Sequence, residues 1–218
     1  MRRAIKRKMP QYELNEEISL IFIDPFFGAG YRIQIYGNRF IKTEETGGSD
    51  MTVIKNKATK YLDDVTTTAV RGAIEHRATW FYLLLDEARK RGLEWDDFAR
   101  AGIACCGHFH GQKKIKDNCP DYEDMTRFLE VFIGEEQAKV LELEILDKQE
   151  DHLLLDFHYC PLVTAWEKLG CSQEDIEHLC DIAMDGDRGI ADEVGFDFKI
   201  ISKIAEGADT CRIEFTKK

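Results

Sequence analysis

The strongest constraint on the fold is a period of two that appears in pairs in the C-terminal third of the chain. Apolar and polar residues alternate over Val140–Leu146 and again over Leu153–Cys160, and Lys148–Asp151 between them has turn chemistry. Phe196–Ala205 and Asp209–Thr216 form a second such pair across Glu206-Gly207-Ala208. Two hairpins of this kind predict an antiparallel sheet of four strands. Two helices lie between the pairs. Pro161 opens a short one that ends at Gly170. Ser172 then N-caps a second, with Glu174 and Asp175 facing the positive end of its dipole, and this helix is predicted to run to about Val194. The order of this third is β-β-α-α-β-β.

Upstream the period changes to that of helices. Over Asp63–Arg91 the apolar residues Val70, Ile74, Phe81, Leu85 and Ala88 recur at helical spacing, Trp80 and Leu84 widen the stripe, and Gly92 ends it. A second helix is predicted from Trp95 to about Cys105, interrupted by Gly107–Gly111, and a third from Tyr122 to Phe132, stopped by Gly134. Leu14–Ile23 reads as the start of a helix broken by Pro25 and the Gly28/Gly30 pair. Tyr31–Ile41 then reads as a strand and Thr43–Asp50 as a loop. The fold class is α+β, with a helix-rich N-terminal half and a C-terminal antiparallel four-stranded sheet. Residues 1–60 form an N-terminal extension. Residues 61–218 form one domain, helical over 61–138 and sheet over 139–218.

Charge and cysteine usage narrow the function. With 30 Lys+Arg against 41 Asp+Glu the net charge is 30 − 41 = −11, which argues against nucleic acid as a partner. No apolar run approaches the roughly 20 residues of a membrane span, and no secretory signal follows the basic start, so a cytoplasmic protein is expected. The seven cysteines are Cys105, Cys106, Cys119, Cys160, Cys171, Cys180 and Cys211; an odd number without C-x-x-C spacing predicts reduced thiols rather than disulfides.

Their placement suggests a site. In the strand read over Leu153–Cys160, Asp156, His158 and Cys160 share one face, successive members about 6.8 Å apart. His158 is then placed to serve as base for a Cys160 thiolate, although an outward polar face gives the same pattern. In the long helix Asp187 is the one charged residue on the stripe of Ile176, Cys180, Ala183, Ile190 and Val194. Either it is buried and paired, or Asp185-Gly186-Asp187 breaks the helix. Cys180 and Cys211 sit among apolar residues, as core cysteines do, yet with Cys160 they lie on adjoining elements and could converge. A zinc ion held by Cys160, Cys180 and Cys211 is the alternative, at spacings of 20 and 31 that match no familiar zinc motif; otherwise no cofactor is implied. Cys105-Cys106-Gly107-His108-Phe109-His110-Gly111 could line a pocket through His108, or be an ordinary helix end.

Several of these residues carry a resemblance. Phe157-His158-Tyr159-Cys160-Pro161, Trp166, Leu169-Gly170, Leu179-Cys180-Asp181 and the ending Gly207-x-x-x-Cys211-x-x-x-Phe215 resemble the L-2-amino-thiazoline-4-carboxylic acid hydrolase family. The likeness covers 139–218 well, 65–135 more loosely and 1–60 hardly at all. It implies a small-molecule substrate and hydrolytic opening of a cyclic amidine to N-carbamoyl-L-cysteine. Cys160 would be the nucleophile, His158 its base, and Asp187 the amidinium or acid–base partner, with general acid help to a departing ring nitrogen. Cys180, Cys211 and His108 would line the pocket. The pattern is also similar to 4-vinyl reductase-type small-molecule-binding domains, which implies a non-catalytic ligand-binding alternative.

Overall fold

The computed structural model describes residues 17–23, 30–36 and 54–218. The chain divides into two compact units, Met1–Asp50 and Met51–Lys218. In the first, β1 (Glu17–Ile23) and β2 (Gly30–Tyr36) pair antiparallel, with Glu17 opposite Tyr36 and Ile23 opposite Gly30. The helix predicted over Leu14–Ile23 is therefore a strand from Glu17 onward. Ile18, Ile21 and Ile23 are β-branched, which favours the extended chain over the helix. The loop predicted at 43–50 lies outside the described residues.

The second unit is the α+β domain. It opens on an extended segment over 54–60 and continues into α1 (Val65–Lys90), whose N-cap Asp64 accepts from the Thr67 N–H at 2.7 Å. One side of α1 buries Thr67, Arg71, Ala78 and Leu85, and the Trp166 indole N–H reaches the Ala78 carbonyl at 3.1 Å. Trp80 and Leu84, read as part of the buried stripe, are exposed; they lie on the opposite side of the helix.

Next comes α2 (Asp96–His110), which runs without interruption into a π-helical turn, Gly111–Lys116. The glycines predicted to break it do something else. A Cβ on Gly107 would lie 2.2 Å from the Gly186 carbonyl oxygen, and one on Gly189 would lie 2.5 Å from the Ala104 carbonyl oxygen. They let two helix backbones touch. Then follow α3 (Met125–Phe132), capped by Asp124, and a short α4 (Glu135–Leu141) occupying ground where a strand was predicted to begin at Val140. Glu142 ends α4 in the left-handed region, φ 51°.

The sheet is built from β3 (Leu143–Lys148), β4 (His152–Phe157), β5 (Phe196–Ser202) and β6 (Cys211–Lys217), in the order β3-β4-β6-β5 and antiparallel throughout. Its inner face presents Leu153, Leu155, Phe196, Ile213 and Phe215 to Met125, Phe128 and Phe132 of α3. Between the hairpins run α5 (Pro161–Lys168), α6 (Gln173–Ala183) and α7 (Asp185–Val194). The single helix predicted from Ser172 to Val194 is thus two, divided at Met184, and Asp185-Gly186-Asp187 forms the first turn of the second. Ser172 caps α6 as predicted, accepting from the Asp175 N–H at 3.1 Å. A second core lies under α1, α2, α5 and α6, built on Trp166, Val163, Leu179, Ile182 and Ile204.

Candidate functional site

Cys160 sits where the chain leaves the sheet. The N–H groups of His158 and Tyr159 both donate to the Leu141 carbonyl, each at 3.2 Å, so two consecutive residues meet one acceptor and the alternation of β4 stops. Cys160 is the N-cap of α5, with Pro161 at the first helical position. His158 faces elsewhere: its Nε2 lies 2.8 Å from Glu144 Oε2 on β3, and both side chains are substantially exposed. The shared-face argument for a Cys160–His158 pair fails because the strand ends at Phe157. Burial pushes the Cys160 thiol up. The N–H groups of Val163 and Leu162 at the start of α5, and then the positive charge of Arg77, act in the other direction.

The three thiols do converge. Cys180, on α6, belongs to the second core, and Cys160 and Cys211 pack against it. Burial raises the Cys180 pKa strongly, and the neighbouring Cys160 and Cys211 raise it further. Burial, followed by Cys160, pushes Cys211 up to about 12, and its sulfur accepts the Ile204 N–H at 3.2 Å. These are protonated thiols at neutral pH. Among the described residues no group of three or more His, Cys, Asp or Glu side chains stands in an arrangement that could hold a metal ion.

Asp187 lies in the first turn of α7. Burial pushes its pKa from 3.8 up to about 6, against the opposing charges of Arg188 and then Arg77. Arg188 is already engaged: it donates to Asp185 at 2.5 Å and to Asp181 at 2.9 Å. Arg212 is engaged too, through two bonds of 2.7 Å to the buried Asp156. Among the described residues Arg77 has no carboxylate partner within bonding distance, and it is the cation that acts on both Cys160 and Asp187. His108 stands apart from this group. Its Nδ1 is 3.3 Å from Glu193 at the other end of α7, six residues or about 9 Å along the axis from Asp187.

A family model described as L-2-amino-thiazoline-4-carboxylic acid hydrolase matches residues 71–215. The chain belongs to this family. The match runs from α1 through β6 and so includes Arg77, Cys160, Cys180, Asp187 and Cys211. No curated protein matches the sequence. Among solved structures, a trafficking protein particle complex subunit 3 from Naegleria fowleri, covalently bound to palmitic acid, is similar at 13% identity. That likeness covers 67% of this chain and 95% of that one, with a TM-score of 0.45. No helix among the described residues of this family member is long and apolar enough to cross a membrane.

Two residues of the site escaped the sequence reading. Arg77 stands seven residues after Val70, three after Ile74 and four before Phe81, a charge in the register of an apolar stripe. The test that singled out Asp187 would have found it. Asn56 left no such signal. It belongs to the extended 54–60 segment, where no periodicity exists, and its side chain bonds the backbone of Cys160.

Proposed function

We propose that the protein hydrolyses a small cyclic amidine carrying a carboxylate, of the L-2-amino-thiazoline-4-carboxylate type, at the site formed by Cys160, Asp187 and Arg77. The observation that carries this reading is the packing of Cys160, at the N-terminus of α5, with Cys180 and Cys211 in one core. Arg77, without a carboxylate partner among the described residues, is a cation whose charge acts on both the Cys160 thiol and the buried Asp187 carboxyl. An ionised Asp187 suits the protonated amidine, and Arg77 suits the substrate carboxylate. Family membership supports the substrate class, and the convergence of Cys180 and Cys211 on Cys160 supports their place as pocket walls.

The chemistry follows from the product. N-carbamoyl-L-cysteine keeps the ring nitrogen, so the ring bond that opens is carbon–sulfur; the leaving atom is sulfur, not nitrogen. Asp187 accepts the Cys160 proton as the thiolate adds to the amidinium carbon. Collapse of the adduct expels the ring sulfur, which takes the proton, and leaves an S-linked isothiourea on Cys160. Water adds to the same carbon, Cys160 leaves, and the carbamoyl product is released with one water consumed. His158, paired with Glu144, has no step in this scheme.

Turnover of L-2-amino-thiazoline-4-carboxylate by the purified protein, followed by mass spectrometry for N-carbamoyl-cysteine, tests the reading. Cys160→Ala and Asp187→Asn should each lower kcat by about 10²-fold or more. Wild-type turnover by Cys160→Ala would refute the nucleophile. The raised pKa values of all three clustered thiols favour one rival, a ligand-binding domain without chemistry. That rival predicts saturable binding of the thiazoline with no product.

A further inference from the structure

The extended segment over 54–60 is bonded to the site at one end and to a buried ion pair at the other. The Asn56 side chain treats Cys160 as one strand treats another: its Oδ1 accepts the Cys160 N–H at 2.9 Å and its Nδ2 donates to the Cys160 carbonyl at 2.9 Å. The same Nδ2 donates to Thr164 Oγ1 at 2.9 Å, and the Thr164 hydroxyl in turn reaches Tyr159 Oη at 3.0 Å. The Arg71 guanidinium lies over the Tyr159 ring at 4.7 Å. Arg71 donates to Glu142 Oε1 at 3.2 Å, and Glu142 accepts the N–H groups of Thr59 at 2.7 Å and Lys60 at 2.9 Å. The chain from Asn56 to Thr59 closes this path into a ring.

Both main-chain polar groups of the N-cap residue are thereby held by one amide. An N-cap residue lies outside the helix ladder and its N–H has no intrahelical partner. The Cys160 carbonyl also accepts the Thr164 N–H at 3.2 Å, the first bond of α5, so the group that Asn56 alone holds is the Cys160 N–H. Without the clamp the Tyr159–Cys160 peptide is released, and the direction of the thiol with it. Serine or alanine at 56 cannot both accept from and donate to one residue's backbone at this reach; aspartate can only accept. Glu142 and Arg71, nearly fully buried, anchor the far end of the segment.

We propose that Asn56 is a positioning residue for Cys160, fixing through its bidentate amide the direction of the thiol at the N-terminus of α5. The role in turnover rests on Cys160 being the nucleophile as proposed above; the clamp itself does not.

The test uses the full chain and Asn56→Ala and Asn56→Asp, with two readouts. The first is the rate of iodoacetamide alkylation of each cysteine against pH, resolved by peptide mass spectrometry. The Cys160 profile should move by about tenfold in rate or more in Asn56→Ala, with the exposed Cys105 and Cys106 unchanged and Cys180 and Cys211 still slow. Asn56→Asp, which keeps the acceptor and loses the donor, should fall between. The second readout is thiazoline turnover, where kcat should drop with KM within about twofold. A Cys160 profile identical to the wild type would overturn the proposal, as would simultaneous exposure of Cys180 and Cys211, which marks general loosening. Turnover that survives Cys160→Ala would instead sink the nucleophile reading and leave the alkylation result to judge the clamp.

Discussion

Asp187 is held at a cost. A carboxyl whose pKa rises from 3.8 to about 6 on folding binds more protons folded than unfolded between those values, so stability falls as pH climbs through that window. Above it the full penalty, up to about 3 kcal/mol, is present. Asp187→Asn should therefore raise the melting temperature at neutral pH while removing activity. The gain should shrink as pH falls through 6 and vanish below about 4. A variant no more stable than wild type at pH 7 would show that the carboxyl is not penalised. At this scale the sequence was partly legible. Asp187 was found because a lone charge interrupts an apolar register, and the same logic applied to α1 would have yielded Arg77. The Cys160–His158 pairing was lost to a local event, two N–H groups sharing the Leu141 carbonyl, that no pattern of residue types encodes.

Helices α2 and α7 meet backbone to backbone, and this sets the direction in which α7 presents its first turn. A methyl group on Gly107 would collide with the Gly186 carbonyl, whereas one on Gly102, in the same helix, meets nothing within 4 Å. Gly107→Ala should cost about 2–3 kcal/mol by prising the helices apart, and Gly102→Ala should gain up to about 1 kcal/mol from helix propensity. Urea unfolding of the two variants checks the contrast, and equal effects would refute the seam. Both glycines look alike in sequence, and this is why Gly107–Gly111 reads as a break: only the partner helix, distant in the chain, distinguishes a helix stop from a contact. The strands were easier. Their alternation survives because one face of the sheet is buried and the other wet, so the period of two is written into β4 and β6, and only the ends slipped by a few residues.

For the molecule as a whole, the boundary between units falls at Asp50/Met51, while the sequence gives a domain start near residue 61. The difference is the extended segment, whose bonds to Glu142 and Cys160 are made by side chains and isolated N–H groups rather than by a periodic element. A chain beginning at Met51 should keep the domain's thermal stability. One beginning at Tyr61 strips Glu142, buried to 1% exposure, of its Thr59 and Lys60 donors and should lose roughly 2–4 kcal/mol. Equal melting temperatures for the two truncations would show that the segment is passive.

The ring through Asn56, Tyr159, Arg71 and Glu142 has a kinetic consequence. Opening a closed circuit of bonds at one point relaxes its neighbours, so the amide hydrogens of Thr59, Lys60 and Cys160 should trade with deuterium as one unit, although Cys160 is about a hundred residues further along the chain. Solvent would then enter the proposed site and the base of α4 in the same event, and a small molecule seated against Cys160 would slow exchange at Thr59, which it never touches.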